Sequence, residues 1–271
     1  MSYSEARSRV GGNRFNFLNV TRPEINVSRE TKGFSSHIYD YARQNLQGII
    51  DAGALKILPE KIFYAYQLIK ENHSQIGLAC GVSLSAYRTG LVKRHELTRT
   101  EKEEDRINHI RAVKAQTGPV LLTHKPHSEL AKLLRNICTE GTPPEINVTL
   151  DGDTSHILWP ITEPSVIKNI QCLAEELGAF YIADGHHRCA AAEKVASMGN
   201  DPDARFLGVL FPSDELIILA YNRVLKDLGQ LNENTFLKRL EQTYTLQPGV
   251  APIQPELPSQ IGLCLNIFLL R

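Results

Sequence analysis

Apolar positions along this chain switch repeatedly between a spacing that suits helices and one that suits strands. Residues 35–52 carry Ile38, Tyr41, Ala42, Leu46, Ile49 and Ile50 at helical spacing, and Gly53 closes the run. Ile62 to Leu68 and Ile76 to Val82 read as strands, with Asn72-His73-Ser74 between them as the turn of a hairpin. Phe15 to Val20 reads as a short strand that Pro23 prevents from continuing as a helix. The polar block Glu101 to Ala115 predicts a charged helix, Pro119 to Thr123 a buried strand, and His127 to Cys138 a helix. Ile146 to Leu150 and His156 to Trp159 predict strands around Asp151-Gly152-Asp153. Ser165 to Leu177 predicts an amphipathic helix ended by Gly178. Beyond it come a strand over Ala179 to Ala183, a helix from Cys189, a strand over Phe206 to Phe211, and a second apolar run, Leu216 to Ala220.

Strands and helices are interspersed without a strict βαβ rhythm, which predicts an α+β fold, a mixed sheet with flanking helices. The Pro-rich break at 141–144 is a weak boundary, as is 248–258, and residues 1–271 otherwise read as a single domain.

Charge changes this picture little. Lys+Arg and Asp+Glu balance at 30 each, so no global field draws the chain to nucleic acid or acidic lipid. A basic strip of Lys93, Arg94 and Arg99 is the one local argument for nucleic acid, which is disfavoured. The five cysteines are odd in number and have no CxxC pair, which points to a reducing, cytoplasmic setting. No stretch is apolar enough for a membrane span. His37, His73, His124, His127 and His156 show no metal-ligand spacing.

Two segments carry candidate chemistry. Asp184-Gly185-His186-His187-Arg188 follows an apolar strand and opens a helix. Free amides and the positive dipole end meet His and Arg donors there, a combination suited to a phosphate or carboxylate. Gly185 permits a sharp turn and close approach to a ligand. Cys189 sits beside it, where a thiol pKa can fall, although a packed role is the plainer reading. The second segment is His95-Glu96, in a loop before the charged helix, where Glu96 or His95 could take a proton from a substrate hydroxyl. Position 99 is Arg99, so this is not a zinc-protease motif. Thr98 or Thr100 can cap the helix, with Glu103 or Glu101 completing a capping box. Glu103, Arg106 and Ile110 share one helical face, and Lys102, Asp105 and His109 another. Arg22, Glu24 and Arg223 lie at the ends of strand-like runs, where a pocket rim would fall, and Glu103 and Asp105 join that group.

Asn16-Phe17-Leu18-Asn19-Val20-Thr21-Arg22-Pro23-Glu24-Ile25, then His95-Glu96-Leu97-Thr98 with Lys102-Glu103 and Asp105-Arg106, then Ala183-Asp184-Gly185-His186-His187-Arg188 occur in order. Together they resemble the bacterial and archaeal family called domain of unknown function 1015, from about Gly11 to about Asp227. That resemblance implies kinship with the ParB-like/sulfiredoxin superfamily and its nucleotide-binding core. Activities there include nucleotide hydrolysis, phosphoryl transfer and sulfinic-acid reduction, and an archaeal free-serine kinase using ADP is the nearest in chemistry. By resemblance, Gly185, His186, His187 and Arg188 hold phosphates, Lys102 and Arg106 add charge, and Glu96 or Asp184 serves as base or magnesium ligand. The implied function is phosphoryl transfer from ADP or ATP, with Mg²⁺, to a small hydroxyl compound such as serine. The alternative is a nucleotide-binding switch or partner-binding module without turnover. A sulfiredoxin-like reductase is disfavoured because Cys189 follows the arginine instead of lying inside the motif. Family members usually carry further segments before Met1 and after Arg271, so the chain reads as a fragment cut at both ends.

Overall fold

A computed structural model describes residues 1–27, 36–150, 153–199, 201–218 and 227–247. The chain divides into two compact units, Met1–Leu216 and Ile217–Arg271. In the first unit the order begins with helices α1 (Tyr3–Val10), α2 (Leu18–Thr21) and, after a 3₁₀ turn at Pro23–Asn26, α3 (Ser36–Asp51). The hairpin β1 (Phe63–Lys70) and β2 (His73–Ser83) follows, then α4 (Leu84–Arg88), β3 (Val92–Lys93) and α5 (Thr100–Val113). Next come β4 (Val120–His124), α6 (Ser128–Glu140), β5 (Ile146–Leu150), β6 (Thr154–Ile161) and α7 (Pro164–Glu176). The unit closes with β7 (Phe180–Asp184), α8 (His186–Gly199), β8 (Arg205–Pro212) and a 3₁₀ turn at Ser213–Glu215. In the second unit α9 (Glu233–Leu240) starts at Asn232, whose side chain accepts from the Thr235 amide at 2.9 Å.

The fold is the expected α+β mixed sheet. Its eight strands run in the order β3-β7-β4-β8-β2-β1-β6-β5. The β3–β7 and β4–β8 pairs are parallel and the remaining pairs antiparallel. Register explains why the middle of the sheet is the core. Trp159, Ala65, Leu78, Leu210, Leu122 and Ile182 are successive cross-strand partners, so they line up on one face. All are buried, and α6, α7 and α8 cover them with Leu130, Leu134, Ile170, Cys189 and Ala192. A second, smaller cluster joins Val20, Ala42, Ile49 and Val113, packing α2 and α3 against α5.

The predicted strand over Phe15 to Val20 is instead a turn leading into α2. Its asparagines decide this. The Asn16 side chain accepts from the Leu18 amide at 3.0 Å, and buried Asn19 donates to the carbonyls of Asn13 and Asn16 at 3.1 and 3.0 Å. Such local bonds give the backbone an alternative to a ladder. The expected run from Leu216 contains no strand over Leu216, Ile217 and Ile218, and its remainder lies outside the described residues. The break at 141–144 joins α6 to β5, and 248–258 lies outside the described residues.

Candidate functional site

Strand β7 delivers the chain to Asp184, Gly185 turns it, and α8 starts at His186. Gly185 has φ +101°, a conformation that costs a side-chain-bearing residue dearly. The small residues Cys189, Ala190, Ala191 and Ala192 are all buried, letting α8 lie close on the sheet and on α5. β3, on the edge beside β7, ends at Lys93 and hands the chain to the 94–99 loop. Arg94 anchors the start of this loop, with its guanidinium carbon 5.1 Å from the Tyr87 ring centre.

The two segments singled out in the sequence meet here. His186, only 4 % exposed, faces the loop. Its Nε2 lies 3.5 Å from the His95 amide, its Nδ1 lies 3.5 Å from the Glu96 carboxylate, and its ring meets that of His95 edge-on at 4.5 Å. Its neighbour His187 accepts the Arg99 amide on Nε2 at 3.0 Å. Nε2 of each ring faces a backbone amide, which leaves Nδ1 of His186 turned to the Glu96 carboxylate. Burial, reinforced by the neighbouring His95, holds the His186 pKa below its ordinary value, against the opposing pull of Glu96 and Asp184.

A third contact clamps the same corner. Glu103, buried on α5, receives Lys194 of α8 at 2.6 Å and the Thr98 hydroxyl at 2.9 Å. Burial works against its charge, but these two hydrogen bonds and the lysine prevail, and its pKa stays below the usual carboxylate value. The 99–187 and 103–194 contacts make α5 and α8 run side by side in the same direction. Their N-termini therefore open together. The residue preceding α5 is Arg99, with no side-chain cap, so the expected capping box at Thr98 or Thr100 does not form; Thr98 bonds the Glu103 side chain instead. Two positive helix ends thus converge beside Arg99 and Arg188.

Arg188 reaches back to Asp184 as an ion pair. Its guanidinium lies against backbone: a Cβ placed on Gly185 would come within 2.8 Å of Nε, and one on Gly118 within 3.3 Å of Nη1. Asp184 and Glu96 present their carboxylates outward, with side chains 74 % and 64 % exposed. Cys189 is fully buried, and burial pushes its thiol up to about 12, which removes it as a nucleophile at neutral pH.

Other candidates lie elsewhere. Asp105 accepts from the Tyr39 hydroxyl of α3 at 2.9 Å, on the side of α5 turned away from Glu103. Arg106 sits near enough to Tyr39 and His109 to act on their ionisation. Arg22 and Glu24 bind each other at 2.5 Å, and Arg22 also donates to the Met1 carbonyl at 3.0 Å. Lys102 is exposed on the first turn of α5. Arg223 lies outside the described residues. Lys194 and Gly118 carry no sequence signal of their own; only the parallel packing of α5 on α8, and of β4 beside β7, gives them a role.

Among the described residues, no group of three or more His, Cys, Asp or Glu side chains could hold a metal by itself, and no helix is long and apolar enough to cross a membrane. Fold and site together define a mixed-sheet α+β protein whose two charged motifs meet at paired helix N-termini. The chain belongs to the family described as Protein of unknown function (DUF1015), whose model matches residues 1–270. Neither curated proteins nor solved structures give a significant match to the chain.

Proposed function

We propose that this protein is a nucleotide-dependent phosphotransferase acting on a small hydroxyl compound, with free serine as the first candidate. The observation that carries the reading is the Glu96–His186 contact at 3.5 Å, which sets a solvent-facing carboxylate against the residue that opens the candidate phosphate helix. Phosphoryl transfer needs positioned phosphates, positive charge on the transferred group, and a base beside the acceptor. Arg188 and the first amides of α8 supply the grip on the phosphates, the α5 N-terminus and Arg99 add positive potential, and Glu96 is the base. The acceptor oxygen forms a bond to the terminal phosphorus as the bridging P–O bond breaks. The hydroxyl proton passes to Glu96, and ADP leaves as AMP, or ATP as ADP. Magnesium suits these residues, since it is commonly bound through one or two carboxylates together with substrate phosphates, and Asp184 and Glu96 offer exposed carboxylate oxygens. When bound, it would neutralise charge on the phosphates.

The assay is transfer of terminal-phosphate label from ADP or ATP to serine and related hydroxyl compounds. Glu96→Gln is expected to abolish transfer while nucleotide still binds, and Arg188→Ala to weaken binding itself. No transfer across the panel would sink the kinase reading. One observation favours a second reading, a nucleotide-binding switch: His186 and His187 each meet an amide of the 94–99 loop, so an anion beside them would act on that loop. Binding with a loop response but no transfer is its signature.

A further inference from the structure

The two edges of the sheet are built differently. β3 is two residues long and ends on exposed Lys93, short and charged in the manner that keeps an edge from pairing further. β5, at the opposite end, is five residues long and exposed along its whole length. Ile146-Asn147-Val148-Thr149-Leu150 holds no charge and no proline, and its pairing with β6 runs without a bulge. Among the described residues no strand pairs with its outer side. Alternation sets Ile146, Val148 and Leu150 on the face away from α6, α7 and α8, where they are 42, 43 and 57 % exposed. Ile146 is in register with Leu158 and Tyr66, and Val148 with His156 and Leu68, so the apolar surface continues inward over half-buried side chains. The polar atoms on that surface satisfy each other, the Tyr66 hydroxyl lying 2.6 Å from Nδ1 of His156.

An unguarded edge of this kind takes another extended backbone, and its side chains say which. Apolar and polar positions alternate as Ile-Asn-Val-Thr-Leu, a pattern that reads the same in reverse. An antiparallel second copy of the strand therefore meets apolar with apolar and polar with polar. Centred on Asn147, the pairing sets Asn147 against its own counterpart, Ile146 against Val148, Pro144 against Leu150 and Glu145 against Thr149, with no like charges opposed. We propose that β5 is a dimer edge: two copies of this chain pair antiparallel through residues 144–150, centred on Asn147, and join their eight-stranded sheets into one. The contact is isologous, the same strand serving on both copies. A strand pair of this length is small beside a standard interface of about 1,600 Å², so the dimer is weak, with a Kd on the order of micromolar.

The test is sedimentation equilibrium of the whole chain, wild type and Val148→Lys, from about 1 to 200 μM, a span that brackets micromolar association. Val148 is exposed, so the lysine leaves the fold intact, and thermal melts verify this. The wild type is expected to pass from one chain to two as concentration rises. Val148→Lys sets a charge against Ile146 of the other copy, twice in each dimer, and should dimerise at least about tenfold more weakly. Asn147→Cys and Thr149→Cys read the register under mild oxidant. Paired copies bring residue 147 of each within disulfide reach, whereas residues 149 lie about 14 Å apart, so only Asn147→Cys should give extra cross-linked dimer. A wild type that stays a single chain at every concentration overturns the proposal. So does association that Val148→Lys leaves unchanged, which would put the contact on another surface. Equal cross-linking at 147 and 149 would overturn the pairing centred on Asn147.

Discussion

Gly185→Ala is the most discriminating single substitution at this site. The backbone there sits at φ +101°, and holding a side-chain-bearing residue in so sparsely populated a region costs about 1–3 kcal/mol. The new methyl would lie 2.8 Å from Nε, 2.9 Å from Nη2 and 3.2 Å from Cζ of Arg188, closer than such atoms approach, so the guanidinium must leave. The two effects separate in a double-mutant cycle. In an Arg188→Ala background the methyl meets no guanidinium, and only the backbone strain remains. The expected coupling is about 1 kcal/mol, within the range for residues in contact. Urea unfolding of the four proteins measures it, and the strain should appear as a fall in midpoint at unchanged slope. A Gly185→Ala cost below about 0.5 kcal/mol, the level of an ordinary surface change, would refute the strained turn. Equal costs in the two backgrounds would refute the packing of Arg188 against it.

The core, the latch and the histidines each give a further expectation. Leu122→Ala, fully buried at the centre of the cross-strand row, should cost about 2–5 kcal/mol by calorimetry, and a smaller loss would contradict the placement of the core. His187→Ala removes the acceptor of the Arg99 amide, so hydrogen exchange at Arg99 should accelerate while amides of β4 and β7 stay protected; unchanged exchange at Arg99 would deny the latch. His109, His124, His156 and His186 all have pKa values held below the ordinary 6.5, chiefly by burial. The unfolded chain therefore takes up protons first. Stability should be full above pH 6.5 and decline as pH falls below it, and a melting temperature flat from pH 7.5 to 5.5 would contradict this burial.

Much of the fold was legible in the sequence because its elements carry clean periodicity. The hairpin of β1 and β2, helices α3, α6 and α7, and the β7-to-α8 turn each follow from apolar spacing with a Gly or turn residues at the ends. The Leu18–Thr21 helix was not legible, because asparagine side chains bonding to nearby backbone outweigh a β-like pattern. Helix α1 is only eight residues long and buries Ala6 alone, too little apolar pattern to read, although Ser2 and Glu5 form its capping box. At the site, the two motifs could be named separately, but their meeting depends on α5 lying parallel to α8. That packing is made by Glu103 with Lys194 and by Arg99 with His187, pairs far apart in sequence. The same geometry divides residues that are adjacent in sequence: Glu103 turns to α8, whereas Asp105 turns to α3.

Titration of ADP and of ATP, each with magnesium, into the wild-type chain and into Arg188→Ala tests the central claim most directly. The account expects one-to-one binding of at least one nucleotide by the wild type and at least a tenfold loss in Arg188→Ala, on the order of 1.4 kcal/mol. Equal affinity in the two proteins, or no binding by a folded wild type, would contradict it.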